Sequence, residues 1–231
     1  MFVTAEIGVN WDGNFELVEK MIMNSKNAGC DAVKFQAFDE KIVKDHPEKE
    51  RLLKTSISKS NIEQINSIAK KVGIEWYCTP MYDKAVEILD PFVKRYKIRY
   101  SDSLELHDGK NSSLISKVLE TGKEIIISSQ KSPKHLEIYN NDNIKWLYVV
   151  PKYPCQIEEL DFRYLNDFDG YSNHCLDFVA PISAVILGAE MIEIHVTSNK
   201  NKNFVDNMVS FDAEETNRLV DMIRHFEKLQ R

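Results

Sequence analysis

One pattern runs the length of the chain: a short apolar run rich in β-branched residues, then a segment whose apolar positions recur at helical spacing. The strand-type runs are Phe2–Val9, Ala32–Ala37, Ile74–Thr79, Tyr96–Ser101, Glu124–Ser129, Lys145–Val150, Asp169–Ser172 and Met191–Thr197. Helical spacing follows at Phe15–Ala28, Asn61–Val72, Tyr82–Leu89, Ser113–Glu120, Pro133–Tyr139, Phe162–Asn166, Phe178–Leu187 and Ala213–Leu229. Runs of this length and composition read as strands, and the longer periodic segments as helices. Eight strand–helix units in one chain predict a single-domain α/β fold, the (β/α)8 TIM barrel, over residues 1–231. A doubly wound open sheet would need a glycine-rich phosphate loop after its first strand, and EIGVNWDGN there is not G-x-G-x-x-G.

The 231 residues suffice for one large core. Net charge is −6 with no long Lys/Arg block, which argues against a nucleic-acid surface. No run approaches the roughly 20 apolar residues of a membrane span, and the N-terminus reads as too short and acidic for a signal peptide. Cys30, Cys78, Cys155 and Cys175 are scattered without a C-x-x-C pair. Reduced thiols and a cytoplasmic location are therefore expected. Gly29 and Gly122 stand where helices end in the left-handed conformation. Asp212 with Glu215 reads as a capping box opening the last helix.

In a barrel of this type, chemistry belongs at the C-terminal ends of the strands. Glu6 and Asn10 close the first strand; Lys34 and Gln36 lie in the second; Thr79 ends the third. Lys97, Ser101 and Asp102 are assigned to the fourth, Ser128 and Ser129 to the fifth, and Lys152-Tyr153-Pro154 follows the sixth. The seventh runs into Ser172-Asn173-His174, and the eighth holds Glu193, His195 and Thr197. Alternation puts Glu193, His195 and Thr197 on one face of their strand, and Lys34 with Gln36 on one face of theirs. Taken singly, each has a plain structural explanation: a core histidine, a Lys34–Glu6 pair, turn serines. Together they place cationic and hydroxyl groups at the same end of consecutive strands, and unpartnered polar groups inside a core are costly.

In order, AEIGVN, DAVKFQ, CTPMYD, YKI, IIISS, KYP, GYSNH, and GAEMIEIHVT followed by VDNMVS resemble the sialic acid (N-acetylneuraminate) synthase family, from about Val3 to Glu215. The resemblance implies a barrel enzyme that condenses phosphoenolpyruvate with an amino sugar or other aldose, giving a nonulosonic acid and phosphate. It implies a divalent metal, Mn2+ first and Mg2+ or Co2+ as alternatives, on His174 and His195. Imidazole donors suit such ions better than Ca2+. It implies a phosphoenolpyruvate site at Lys34, Thr79, Lys97, Ser101, Ser128 and Ser172. Asn10, Gln36, Tyr153 and Asp206 correspond to the sugar side, and Glu6 to the acidic residue that handles a proton or positions water beside the histidines.

The chain departs from that pattern in places. The resemblance covers the barrel only, without the family's C-terminal antifreeze-like domain, so a homodimer or a separate antifreeze-like chain is the expected partner. The K-I-x-S-G-E segment reads Lys97-Ile98-Arg99-Tyr100-Ser101-Asp102, and Pro151 replaces a polar residue before Tyr153-Pro154. Two other readings stay open: a Schiff-base aldolase using Lys34 or Lys97, and a non-catalytic or split-synthase barrel that binds sugar or a partner chain.

Overall fold

The computed structural model describes residues 1–110 and 112–229. Eight parallel strands follow one another around a closed barrel: β1 (Phe2–Glu6), β2 (Ala32–Ala37), β3 (Glu75–Pro80), β4 (Arg95–Ile98), β5 (Glu124–Ser129), β6 (Ile144–Tyr148), β7 (Gly170–Asn173) and β8 (Met191–Val196). Closure is by β1 on β8, in register from Phe2↔Met191 to Glu6↔His195. The single-domain (β/α)8 barrel expected from the alternation is the fold observed. A two-residue strand, β9 (Ser210–Phe211), also pairs with β8, at His195↔Ser210.

Helices α1 (Phe15–Asn27), α2 (Lys49–Leu53), α3 (Ile62–Val72), α4 (Asp83–Leu89), α5 (Tyr100–His107), α6 (Ser113–Glu120), α7 (Val179–Ile186) and α8 (Ala213–Leu229) cover the outside. Their apolar stripes meet the outward-facing strand residues in one core, within which Phe35 of β2 packs edge-on against Trp76 of β3. The caps follow the sequence. Asn14 Oδ1 accepts the N–H of Glu16 at 2.8 Å to start α1. At α8, Asp212 Oδ1 accepts from Glu215 N at 2.9 Å, and Glu215 Oε2 accepts from Asp212 N at 3.0 Å. Gly29 and Gly122 are left-handed, at φ +89° and +67°.

Three local expectations fail for physical reasons. The fourth strand ends at Ile98, not Ser101, because Arg99 is extended and caps α5, with Asp102 folding back onto its guanidinium. Ser101 therefore sits on a helix at the barrel rim. Pro133–Tyr139 forms no α-helix: only a 3-10 turn at Glu137–Asn140 precedes an Asn-rich turn in which Asn141 Oδ1 takes the Asn143 N–H. Phe162–Asp167 is likewise a 3-10 segment, started by Asp161.

Gly170 opens β7, where the strand leading to the Ser172–His174 segment crosses β8. A Cβ there would lie 2.0 Å from the Met191 carbonyl oxygen, a backbone atom that cannot rotate away. Gly170→Ala should destabilise the barrel by about 3 kcal/mol, the upper end of overpacking costs. That is roughly 6–12 °C in Tm for a chain of this size; thermal unfolding followed by circular dichroism checks it.

Candidate functional site

A cavity of about 550 Å³ opens at the C-terminal ends of the strands. Glu6, Lys34, Gln36 and Thr79 line one side; Lys97, Ser101, Ser128 and Ser172 line a second; Tyr153, His174, His195 and Asp206 line a third. Asn10 does not line it.

The floor is a buried charge cluster. Lys97 Nζ donates to Glu193 Oε1 at 2.8 Å, and Ser172 Oγ donates to the same oxygen at 2.8 Å. Lys34 Nζ lies 3.5 Å from Glu193 Oε2 and 3.2 Å from Glu6 Oε1, and donates to Thr79 Oγ1 at 3.3 Å. Gln36 Nε2 donates to Glu6 Oε1 at 2.8 Å. Glu6 Oε2 and Ser128 Oγ are buried without a hydrogen-bond partner. The Ser128 hydroxyl, beside two ammonium groups, suits an anionic ligand, whereas Glu6 Oε2, an acceptor, suits a water or another proton donor.

The two lysines are not equivalent. Burial works against both ammonium groups. At Lys34 the pull of Glu193 and Glu6 outweighs it, and the pKa is raised. At Lys97 burial wins: Glu193 offsets only part, the Lys34 charge opposes, and the pKa is pushed down to about 8. Burial would raise the Glu193 carboxyl, but Lys34 and Lys97 override it and hold it well below the usual carboxylate range.

The histidines sit beside this floor, with ring centroids 5.3 Å apart. His174 Nδ1 is 2.9 Å from the Val150 carbonyl, so that nitrogen carries the proton and Nε2 is left with its lone pair. Burial, then the nearby His195, push His174 down to about 3, so it is neutral at ordinary pH. His195 Nδ1 is buried without a hydrogen-bond partner, 3.5 Å from Asp206 Oδ2. Tyr153 packs its ring 4.1 Å from that of His174, with its hydroxyl 3.4 Å from His195 Nε2. The two rings are close enough for a nitrogen of each to reach one ion at the ~2.1 Å of a metal–imidazole bond, and His174 Nε2 has its lone pair free for it. Among the described residues, no group of three or more His, Cys, Asp or Glu side chains forms a complete metal cage. A metal here would depend on ligand or water for its remaining positions.

Asn10 has a different task from the sugar contact expected of it. Its Nδ2 donates to the Val196 carbonyl and to Ser210 Oγ, both at 2.9 Å, and its Oδ1 takes the Asp206 N–H at 3.0 Å. It holds the loop that presents Asp206. Gly8, at φ +51°, lets that loop close in: a Cβ there would be 3.1 Å from Glu6 Oε1, 3.2 Å from Gln36 Nε2 and 3.4 Å from Asp206 Oδ2. Glu193 is the functional side chain that motif reading left without a role. Its signal was the shared face with His195, two residues on.

Fold and cavity define a TIM-barrel protein with a buried lysine–carboxylate floor and a histidine pair at the strand C-termini. A profile of the NeuB family matches residues 21–231, and the chain belongs to that family. It is 31% identical to the uncharacterized protein MJ1065 of Methanocaldococcus jannaschii, over 99% of this chain and 71% of that one. It is 29% identical to a Campylobacter jejuni pseudaminic acid synthase (98% and 74% covered) and 27% to mouse N-acetylneuraminate-9-phosphate synthase (98% and 70%). In fold it resembles the N-acetylneuraminic acid synthetase of Leptospira borgpetersenii, with a TM-score of 0.85 at 23% identity over 99% of this chain and 84% of that one. The family resemblance and its sugar-acid synthase relatives thus agree. No helix among the described residues is long and apolar enough to cross a membrane.

The Lys97 shift gives a pH signature. Below about pH 8 the ammonium is charged and available to an anion; above it the proton leaves and one charge is lost. Inorganic phosphate should bind about tenfold more weakly at about pH 9.5 than at about pH 7. Isothermal titration should show that loss reduced in Lys97→Arg, whose side chain keeps its charge.

Proposed function

We propose that the protein condenses phosphoenolpyruvate with the aldehyde of an amino sugar or related aldose, releasing phosphate and giving a sialic-acid-like 2-keto acid. The observation that carries this reading is the juxtaposition, in one cavity, of the Lys34–Lys97–Ser128–Ser172 floor with the buried His174–His195 pair. Lys34, Lys97, Thr79, Ser128 and Ser172 hold the phosphate, with Ser101 at the rim above. Glu6, fixed through one oxygen by Gln36 and Lys34, presents its free oxygen to a water or a transferring proton. Gln36, Tyr153 and Asp206 orient the sugar, and Asn10 supports Asp206.

In the reaction, C3 of phosphoenolpyruvate forms the new carbon–carbon bond to the aldehyde carbon, whose oxygen takes a proton. Water adds at C2, and the resulting tetrahedral centre expels phosphate by C–O cleavage. The floor's cationic groups stabilise the phosphate as negative charge gathers on it. His174 and His195 fit a divalent ion, with Mn2+ the first choice and Mg2+ or Co2+ next. When bound, it supplies Lewis-acid polarisation of the aldehyde.

A second reading has one observation in its favour. Lys97, at about 8, is close to the range of amine nucleophiles that form Schiff bases with keto acids. Borohydride in the presence of pyruvate would then leave a covalent adduct on Lys97; intact-mass spectrometry without such an adduct removes the aldolase.

Phosphate release from phosphoenolpyruvate should require both an aldose and a divalent ion. It should fall at least about 100-fold in His174→Ala and His195→Ala. Chelation should abolish it, and Mn2+ should restore it. A panel of hexosamines, pentoses and short aldoses assayed for phosphate tests this. No release from any acceptor, with Mn2+ shown to be bound, would overturn the synthase reading in favour of a non-catalytic or split barrel.

A further inference from the structure

A second pair of histidines stands outside the cavity. His107 is the last residue of α5 and half-buried; His135 is exposed on the loop after β5. Neither lines the cavity. Their ring centroids are 5.1 Å apart, close to the 5.3 Å of His174 and His195. His107 Nδ1 lies 3.4 Å from His135 Nε2.

The buried Ser129 hydroxyl sets the state of His107. Ser129 Oγ donates its one proton to the Lys131 carbonyl at 2.7 Å. At its 2.8 Å contact with His107 Nε2 it can then only accept, so Nε2 carries the ring proton. Nδ1 keeps its lone pair, aimed at His135. Burial, then the neighbouring His135 and Lys131, lower the His107 pKa and favour the neutral ring. A partner that holds the far nitrogen of an imidazole while the near one faces outward is the support a metal-binding histidine needs.

Both segments are fixed. One turn before His107, Ser103 Oγ donates to the Ser128 carbonyl at 2.7 Å and ties α5 to β5. Beside His135, Pro133 is buried, its carbonyl takes the Leu136 N–H at 2.8 Å, and Lys134 pairs with Asp167 at 2.6 Å. The gap between the rings is longer than the roughly 2.7–3.2 Å of a good N–H donor bond. It matches the about 3.4 Å between two ligand atoms that each lie ~2.1 Å from one tetrahedral ion.

We infer that His107 Nδ1 and His135 Nε2 form a second metal site, for a divalent ion of the Ni2+, Cu2+ and Zn2+ group. Two imidazoles select such ions over Mg2+ and Ca2+. Water fills the other positions, since among the described residues no third His, Cys, Asp or Glu side chain joins the pair. The nearby Asp108 carboxylate is held by Lys110 at 3.1 Å. The ion joins the end of α5 to the loop after β5, behind the strand end whose Ser128 lines the cavity. The site is independent of the reaction read from the cavity.

Zn2+ is the probe. His174→Ala/His195→Ala removes the cavity pair, and isothermal titration of that variant should still show Zn2+ binding at a single site. Adding His135→Ala, a change at an exposed ring, should abolish it. Adding Ser129→Ala should weaken it at least about tenfold, and excess Mg2+ should not displace it. In the unaltered protein, NMR of the histidine rings should show Zn2+ shifting His107 and His135, which keeps the test open if the double variant fails to fold. Zn2+ binding that is unchanged by His135→Ala overturns the inference, as do ring signals of His107 and His135 that do not respond. Unchanged affinity in Ser129→Ala marks an adventitious ion only and overturns it as well.

Discussion

The site depends on one buried carboxylate. Glu193 on β8 is shared by Lys97, Lys34 and Ser172, so it ties together side chains from β2, β4 and β7 across the barrel interior. Two ammonium groups in a dry interior would repel each other, and burial would strip their protons. With Glu193 between them and Glu6 beyond Lys34, two positive charges meet two negative ones and the cluster is neutral before any ligand enters. The sharing is uneven. Lys34 touches two carboxylates and keeps its charge; Lys97 has one and is left near its titration point.

The rest of the cavity is arranged around that cluster. His174 is neutral because it is buried and faces His195, which fits it for metal ligation better than for acid catalysis. Asp206 reaches His195 through a loop held by Asn10 and admitted by the missing side chain at Gly8. A further side of the cavity is apolar, formed by Val9, Phe38, Val43, Leu52, Met81 and Val205, and the segment 38–56 that supplies part of it is fastened by Ser56, Trp11 and Arg51. Three chemically distinct walls in one cavity suit a reaction with two substrates better than one.

Much of this was legible in the residues. Strand period placed Lys34 with Gln36 and Glu193 with His195, because successive side chains in a barrel strand alternate between helix layer and interior. The clustering of polar groups at strand C-termini pointed to the end of the barrel where the cavity opens. Local reading failed where a contact distant in sequence, or a short polar side chain, outweighed propensity. At Arg99–Asp102 an ion pair ends β4 and starts α5, taking Ser101 off the strand. Between β5 and β6, proline and a run of asparagines leave room only for a 3-10 turn. Asn10 looked like a ligand contact because it is polar and near a strand end; its three partners lie 186–200 residues away.

The sequence by itself determined the barrel and the end at which its polar groups gather, since these follow from periodicity and residue type, which are local; the pairing of His174 with His195 came from the family resemblance. Only the tertiary structure decided that Glu193 is the shared counter-ion, that Lys97 and not Lys34 is poised to titrate, that Asn10 supports rather than binds, and that one arc of the rim is apolar. Each of those depends on distances between strands and loops far apart in the chain. Electrostatic and desolvation energies change steeply over those few ångströms, and residue spacing alone carries no record of them.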